Sequence, residues 1–232
     1  MPNWCNNNLT LSHEDPAMIQ RAYDALERGE FLQEFHPVPE DLQITAGRLG
    51  DGEEQRELER KEKANLEKYG HANWYDWCVA NWGTKWDVGG DGQSDIHPDG
   101  KILHTYFDSA WSPPVNAYGK LEELGFKVDA MFYEPGMAFA GTYSEGNCDD
   151  FSLEGMSADD IENDYPELDE AFGISESIRE YEAENEEDED LTEWINDGVV
   201  KNVVEQVKQL TPEQQRMLIK SVEALLEGET VE

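Results

Sequence analysis

Side chains able to do chemistry are spread thinly along this chain, so their spacing decides what each could be. Asp87, Asp91, Asp95 and Asp99 recur every four residues around Gly89, Gly90 and Gly92. Hard cations need several carboxylate or carbonyl oxygens on a flexible loop. The stretch lacks the alternate-position ligands and closing glutamate of an EF-hand, so an acidic hairpin loop is expected instead. His71, Cys78, His97 and His104 are the candidate soft-metal set, but none stands at a Cys-x-x-Cys or His-x-x-x-His spacing. Three unpatterned cysteines, Cys5, Cys78 and Cys148, fall short of the four thiolates an iron–sulfur cluster takes. Ser109, Ser112 and Cys78 sit in no Gly-x-Ser-x-Gly elbow, and Gly89-Gly90-Asp91-Gly92 lacks the Lys-Ser/Thr of a phosphate loop. No catalytic residue, metal or cofactor is expected. One mixed set remains: Asn6, Asn7, Asn8, Lys85, Trp86, Trp111 and Glu134 bring amides, a cation, a carboxylate and aromatic faces from separated segments. They could line a polar–aromatic pocket, or the tryptophans could simply pack one another in a core.

The densest run of one chemistry is acidic. Glu180, Glu182, Glu184, Glu186, Glu187, Asp188, Glu189 and Asp190 place eight carboxylates in eleven residues. As a helix this run spans about 16 Å, or one charge per roughly 2 Å, against one per about 1.7 Å of duplex DNA. These eight residues are therefore the candidate partner-binding surface. Across its 232 residues the chain carries 53 acidic against 17 basic side chains, a net charge of −36. Such a field repels nucleic acid and anionic membranes and favours a basic partner.

Between Asp149 and Asp197 there are 21 acidic residues and one basic one, Arg179. Such a run reads as solvated linker, although Ile161, Tyr165, Leu168, Phe172, Ile174, Ile178 and Tyr181 leave acidic amphipathic helices open. An odd number of cysteines fits reduced thiols in the cytosol. Met1-Pro2-Asn3-Trp4 has neither the basic nor the apolar region of a signal peptide, and no apolar run reaches membrane-span length. A soluble cytoplasmic protein is expected.

The elements that must position these residues centre on Trp74 to Asp87, which holds four tryptophans in fourteen residues. Trp74, Trp77 and Cys78 follow helical spacing, Gly83 breaks it, and Thr84, Trp86 and Val88 alternate as a strand would. Trp82, Trp86 and Trp111 are expected together in one core beside Phe107 and Phe132. Trp4 to Ser12 reads as a strand, and Asp15-Pro16 opens a helix along Ile19, Ala22, Tyr23 and Leu26 that ends at Gly29. Glu53 to Lys68 reads as a solvated, ion-paired helix inserted at about 45–70. Ile102–Ala110 alternates as a strand, Val115 to Leu124 is helical, and Phe126 to Phe132 and Met137 to Tyr143 form a hairpin turning at Pro135-Gly136. Two amphipathic helices follow, around Val199 to Leu210 and after the Thr211-Pro212 start, making a helical hairpin over 191–232. It is expected to pack on the sheet domain or on itself, or to dock a partner helix or a second copy in a homo-oligomer. This order predicts an α+β, ferredoxin-like antiparallel sheet with helices on one face over 1–148, then an acidic segment over 149–190.

Four segments carry a family resemblance: Met1-Pro2-Asn3-Trp4-Cys5-Asn6-Asn7, Asn81-Trp82-Gly83-Thr84-Lys85-Trp86-Asp87, Phe107-Asp108-Ser109-Ala110-Trp111-Ser112-Pro113-Pro114, and Tyr133-Glu134-Pro135-Gly136 through Phe139-Ala140-Gly141. Over about residues 1–145 the chain resembles phage and plasmid proteins with a YubB-type ferredoxin-like domain. The resemblance implies that fold without an iron–sulfur cluster and an origin in a bacterial mobile element, so a bacterial host cytoplasm. It carries over no catalytic residue. Two functions are expected to compete. In the first, the chain inhibits a basic, nucleic-acid-handling or defence protein of the host by mimicking nucleic acid. In the second, the tryptophan-rich pocket binds a small ligand or catalyses a reaction.

Overall fold

The computed structural model describes residues 2–90, 93–184 and 198–226, with no side chain described at 198, 199 and 223–226. Strand β1 (Trp4–Ser12) points every second residue, Cys5, Asn7, Leu9 and Leu11, into the core. Helix α1 (Pro16–Glu27) begins as the sequence predicts, with the Asp15 carboxylate accepting the Ala17 N–H. Short helix α2 (Phe31–Phe35), α3 (Glu53–Tyr69) and α4 (Trp74–Asn81) precede β2 (Ser94–Ile96) and β3 (Ile102–Ala110). Then come α5 (Val115–Glu123), β4 (Lys127–Glu134), β5 (Phe139–Ser144) and β6 (Asn147–Ser152).

The six strands form one antiparallel sheet in the order β2-β3-β1-β4-β5-β6. β1 returns through helices to edge strand β2, β2 turns into β3, and α5 links β3 to β4. That is the split β-α-β-β-α-β arrangement of the ferredoxin-like fold, extended beyond β4 by the β5–β6 hairpin. Register places Leu9 beside Thr105 and Ala130, and Leu11 beside Leu103 and Val128. These rows meet Ile19, Ala22 and Leu26 of α1, Phe31 and Phe35 of α2, Trp77 of α4, and Tyr118 and Leu121 of α5 in one core.

Helix α3 exposes ion pairs such as Lys61–Glu57, yet it is anchored at one side. Leu58 is buried, and the Asn65 side-chain amide donates to the carbonyls of Asp41 and Ala72.

Residues 84–88 are not a strand. Side chains tie the segment to two separate elements instead of a neighbouring strand. The Thr84 hydroxyl donates to the Ala110 carbonyl, and the Asp87 carboxylate accepts the N–H groups of Leu32 and Gln33 at the start of α2.

The sheet runs past residue 148 through β6, and helices α6 (Ala158–Asp164) and α7 (Pro166–Phe172) follow it. Ile161 and Leu168 are buried, and Phe172 of α7 meets Tyr133 on the sheet face opposite the main helices. The first part of the acidic segment is thus folded, because its few apolar residues find the sheet. Residues 174–184 are helical (α8). The chain divides into a unit ending at Ser175 and a second from Glu176. In the second, α9 (Gly198–Lys208) and α10 (Pro212–Leu226) follow one another across residues 209–211, and the Gln215 side chain of α10 donates to the Val207 carbonyl of α9. The Thr211 hydroxyl and Gln214 side chain cap α10 reciprocally, as the sequence pattern predicts. Among the described residues no helix is long and apolar enough to cross a membrane.

Candidate functional site: a tryptophan groove around Lys85

The local sequence forces the two tryptophan segments against each other. Gly83 follows α4 at φ 92°, and a Cβ there would lie 3.0 Å from the Pro113 carbonyl oxygen. Only glycine combines that conformation with that approach. The Ser112 hydroxyl donates to the Gly83 carbonyl at 2.6 Å, and Ser109 donates to the Ser112 carbonyl at 2.8 Å. Trp111, between them, is held at φ 70° with its N–H on the Asn3 carbonyl. A bulky residue seldom adopts that backbone, and the strain is of order 1–3 kcal/mol.

This framework does not bury the tryptophans together. Trp82 is 4% exposed, but Trp86 is 39% and Trp111 41% exposed, so the expected common core is not formed. Phe107 and Phe132 are buried without them. Instead the ammonium of Lys85 lies 4.6 Å from the Trp86 ring centroid, 5.0 Å from Trp111 and 5.6 Å from Tyr75. All three distances fall within cation–π range. Trp4 meets Trp86 with ring centroids 6.0 Å apart. Among the described residues the Lys85 ammonium makes no hydrogen bond or ion pair, although the chain holds 53 carboxylate side chains.

Beside this cluster runs a groove of about 330 Å³ walled by Val38, Ile44, Trp74, Trp82 and Trp86, with Gln43, Lys85 and Asp87 as polar lining. Asp87 is raised above the usual carboxylate range, by burial first and by Glu30 to a lesser degree, while its three backbone hydrogen bonds pull it down. Those bonds, from Leu32, Gln33 and Val88, occupy both carboxylate oxygens. Asp87 is therefore a helix cap and leaves Lys85 as the available charge.

The other members of the mixed set lie elsewhere. Alternation along β1 turns Asn6 and Asn8 away from the core. Asn6 donates to Asp108 in a larger, more polar groove of about 540 Å³ that also includes Tyr106 and Phe172. Asn7 faces inward, where its amide donates to Cys5, Phe107 and Ser109. Glu134 is buried in the β4–β5 turn and accepts the N–H groups of Gly136 and Met137. Lys85, Trp86 and Trp111 are brought together. Asn6, Asn8 and Glu134 do not join them. Sequence reasoning missed Tyr75, Val38, Gln43 and Ile44. Tyr75 was readable beside Trp74 and Trp77, but a loop's approach to the groove leaves no periodic signal.

The candidate nucleophiles are not set against a base. Burial pushes the Cys5 and Cys78 thiols up to about 12, and Ser109 and Ser112 donate to backbone carbonyls. Asp95 pairs across to His104, Asp99 turns onto Lys101 and His97, and Asp91 lies outside the described residues. Among the described residues no three His, Cys, Asp or Glu side chains are grouped to hold a metal.

The acidic surface has its own geometry. From Val128 to Ile178 the chain contains fourteen acidic residues and no lysine or arginine. Glu154, Asp160, Asp164, Glu167 and Glu170, on and beside α6 and α7, are exposed. Glu180, Glu182 and Glu184 are exposed on α8, whereas Glu186, Glu187, Asp188, Glu189 and Asp190 lie outside the described residues.

No family model matches the chain, and no curated protein does. Among solved structures, protein api92 from Yersinia pseudotuberculosis, family-model DUF1281, is similar over 66% of this chain and 98% of its own. With 12% identity and a TM-score of 0.32, that likeness carries no argument about function.

Proposed function

We propose that the unit ending at Ser175 is a small-ligand-binding module and that the tryptophan groove is its site. The carrying observation is Lys85: a cation held against three ring faces and, among the described residues, without a carboxylate partner, beside an apolar groove. The volume falls at the small end of ligand pockets, about 300–1,000 Å³. The ligand class that matches is a flat, largely apolar organic anion. Its body would lie along Trp74, Trp82 and Trp86 and its acid group on Lys85. The buried, unactivated thiols support binding without turnover.

Calorimetric titration with indole-3-acetate, indole and tryptamine tests this reading. The anion is expected to bind at least tenfold tighter than the other two, and Lys85→Met to abolish that preference. No heat with any of the three would remove the groove as an indole-sized site. Tighter binding of tryptamine would reverse the assigned charge.

A second reading is favoured by exposed Glu180, Glu182 and Glu184 on α8. In it the acidic surface occupies a basic groove on a nucleic-acid-handling protein of a bacterial host and competes there with DNA or RNA. A mobile-element origin and a cytoplasmic setting fit that role. Changing Glu180, Glu182, Glu184, Glu186, Glu187, Asp188, Glu189 and Asp190 to Gln or Asn removes eight charges. Affinity for a host protein captured at low salt should then fall strongly, and duplex DNA should displace the unaltered chain. Equal affinity after neutralisation would sink this reading.

A further inference from the structure

The hairpin of α9 and α10 leaves more apolar surface open than its two helices can cover for each other. On α9, Val200, Val204 and Val207 are half-buried, as is Leu210 just beyond it, and the Gln215 side chain of α10 donates to the Val207 carbonyl. Yet Val203 is 53% exposed, and on α10 Met217, Leu218, Ile219 and Val222 are 66%, 41%, 57% and 46% exposed. At about 100° per residue, these four residues spread over roughly 200° of the helix surface. One neighbouring helix covers a stripe of about 100°. The remainder calls for another partner.

We propose that this partner is the same hairpin of a second copy, the two hairpins closing into a four-helix arrangement. Charge argues for that occupant. Residues 198–226 carry Lys201, Lys208, Arg216 and Lys220 against Glu205, Glu213 and Glu223, a net of +1 in a chain of −36. The stretch from Val128 to Ile178, with fourteen acidic residues and no lysine or arginine, would bring the carboxylate excess of one copy against that of the other. This hairpin carries cations and anions together, so a two-fold pairing sets lysines of one copy near glutamates of the other. Such a self-complementary patch is the usual basis of a homodimer. The acidic remainder still opposes the approach of two copies over the Debye length, about 30 Å at 0.01 M salt and about 3 Å at 1 M. Self-association should therefore strengthen as salt rises, whereas docking of the acidic surface on a basic partner should weaken.

The test is light-scattering mass of the full chain at increasing protein concentration in low and high sodium chloride. The mass is expected to rise from 26.4 kDa toward twice that value as salt increases. Met217→Glu with Ile219→Glu should hold it at 26.4 kDa throughout, with unchanged far-ultraviolet dichroism. Should that variant lose helix, Met217→Gln with Ile219→Gln serves in its place. Leu66→Glu, on the exposed side of α3, should leave the dimer intact. A wild-type mass of one chain at every concentration and salt would overturn the proposal. So would a dimer that survives both α10 variants, which would place the interface elsewhere. A dimer that weakens with salt would also overturn it, pointing to a hairpin seated on the other copy's acidic surface.

Discussion

Trp82 and Trp86 are four residues apart, and the structure gives them opposite roles that a stability measurement separates. Trp82 is 4% exposed, packs edge-on against Trp77 at 5.8 Å, and donates its indole N–H to the His36 carbonyl at 2.8 Å. Trp82→Ala removes a full buried ring and leaves that carbonyl without its donor. The loss should be about 4 kcal/mol, within the usual range for large aromatic deletions. Trp86 is 39% exposed and its partners are Lys85 and Trp4. Scaling by the buried share of the ring, with the Lys85 contact included, Trp86→Ala should lose about 2 kcal/mol. Equilibrium urea unfolding followed by far-ultraviolet dichroism reads both without relying on the fluorophores being removed. The expected gap of about 2 kcal/mol exceeds ordinary extrapolation error. Equal losses would mean that Trp86 is a core residue after all, and the open groove would disappear with it.

Three further outcomes follow from particular contacts. Asp87→Ala strands the N–H groups of Leu32 and Gln33 and should lower stability by about 2–4 kcal/mol, with Asp87→Asn falling between; urea midpoints check the order. Gly83→Ala must hold φ 92° with its Cβ 3.0 Å from a carbonyl oxygen and should lose about 1–3 kcal/mol, read as a lowered melting temperature. Burial, aided by Lys120, holds His36 below the usual histidine range, while Glu123 pulls it the other way. The unfolded chain takes up that proton near pH 6.5. The contribution of His36 is thus present above about pH 6.5 and is lost as pH falls toward the depressed folded value. Wild type should lose stability relative to His36→Gln between neutral pH and mildly acidic pH, and a constant gap would contradict the assignment.

Elements whose side chains repeat with a clear period were legible in the sequence. The Asp15-Pro16 start of α1, the alternation of β3 and the Thr211–Gln214 cap of α10 are local signals, and each forms as read. The fold class was legible from element order, although the strand expected at 84–88 is a loop and β2 lies at Ser94–Ile96. What failed was the inference from residue type to burial. Trp86 and Trp111 are large and apolar, but a backbone fixed by Gly83, Ser112 and the strained Trp111 turns them toward solvent. The alternation at Thr84, Trp86 and Val88 had no strand beside it to pair with. β6 was hidden for the opposite reason: as an exposed strand beside β5 it carries Asp149 and Asp150 and little apolar signal. Its one partly buried residue, Phe151, packs on Tyr165 at 4.9 Å, a contact that no local pattern announces. In the candidate site, Lys85 and its two tryptophans could be named from composition, while Asn6, Asn8 and Glu134 were separated from them by strand facing and turn chemistry.

The two outer strands have a consequence for how concentrated solutions of this protein behave. A broad antiparallel sheet ends in rows of unpaired backbone groups, which are templates for cross-chain β-pairing and fibril growth. Here one border, β2, is three residues long and carries Asp95, and the other, β6, presents Asn147, Asp149, Asp150 and Ser152 to solvent. A strand added from another copy would sit about 4.8 Å away, with both chains strongly anionic at that spacing. That concentration of charge at both borders bars the sheet from polymerising. Removing Asp95, Asp149 and Asp150 together would lift the bar, so aggregation of that variant should begin at these two borders.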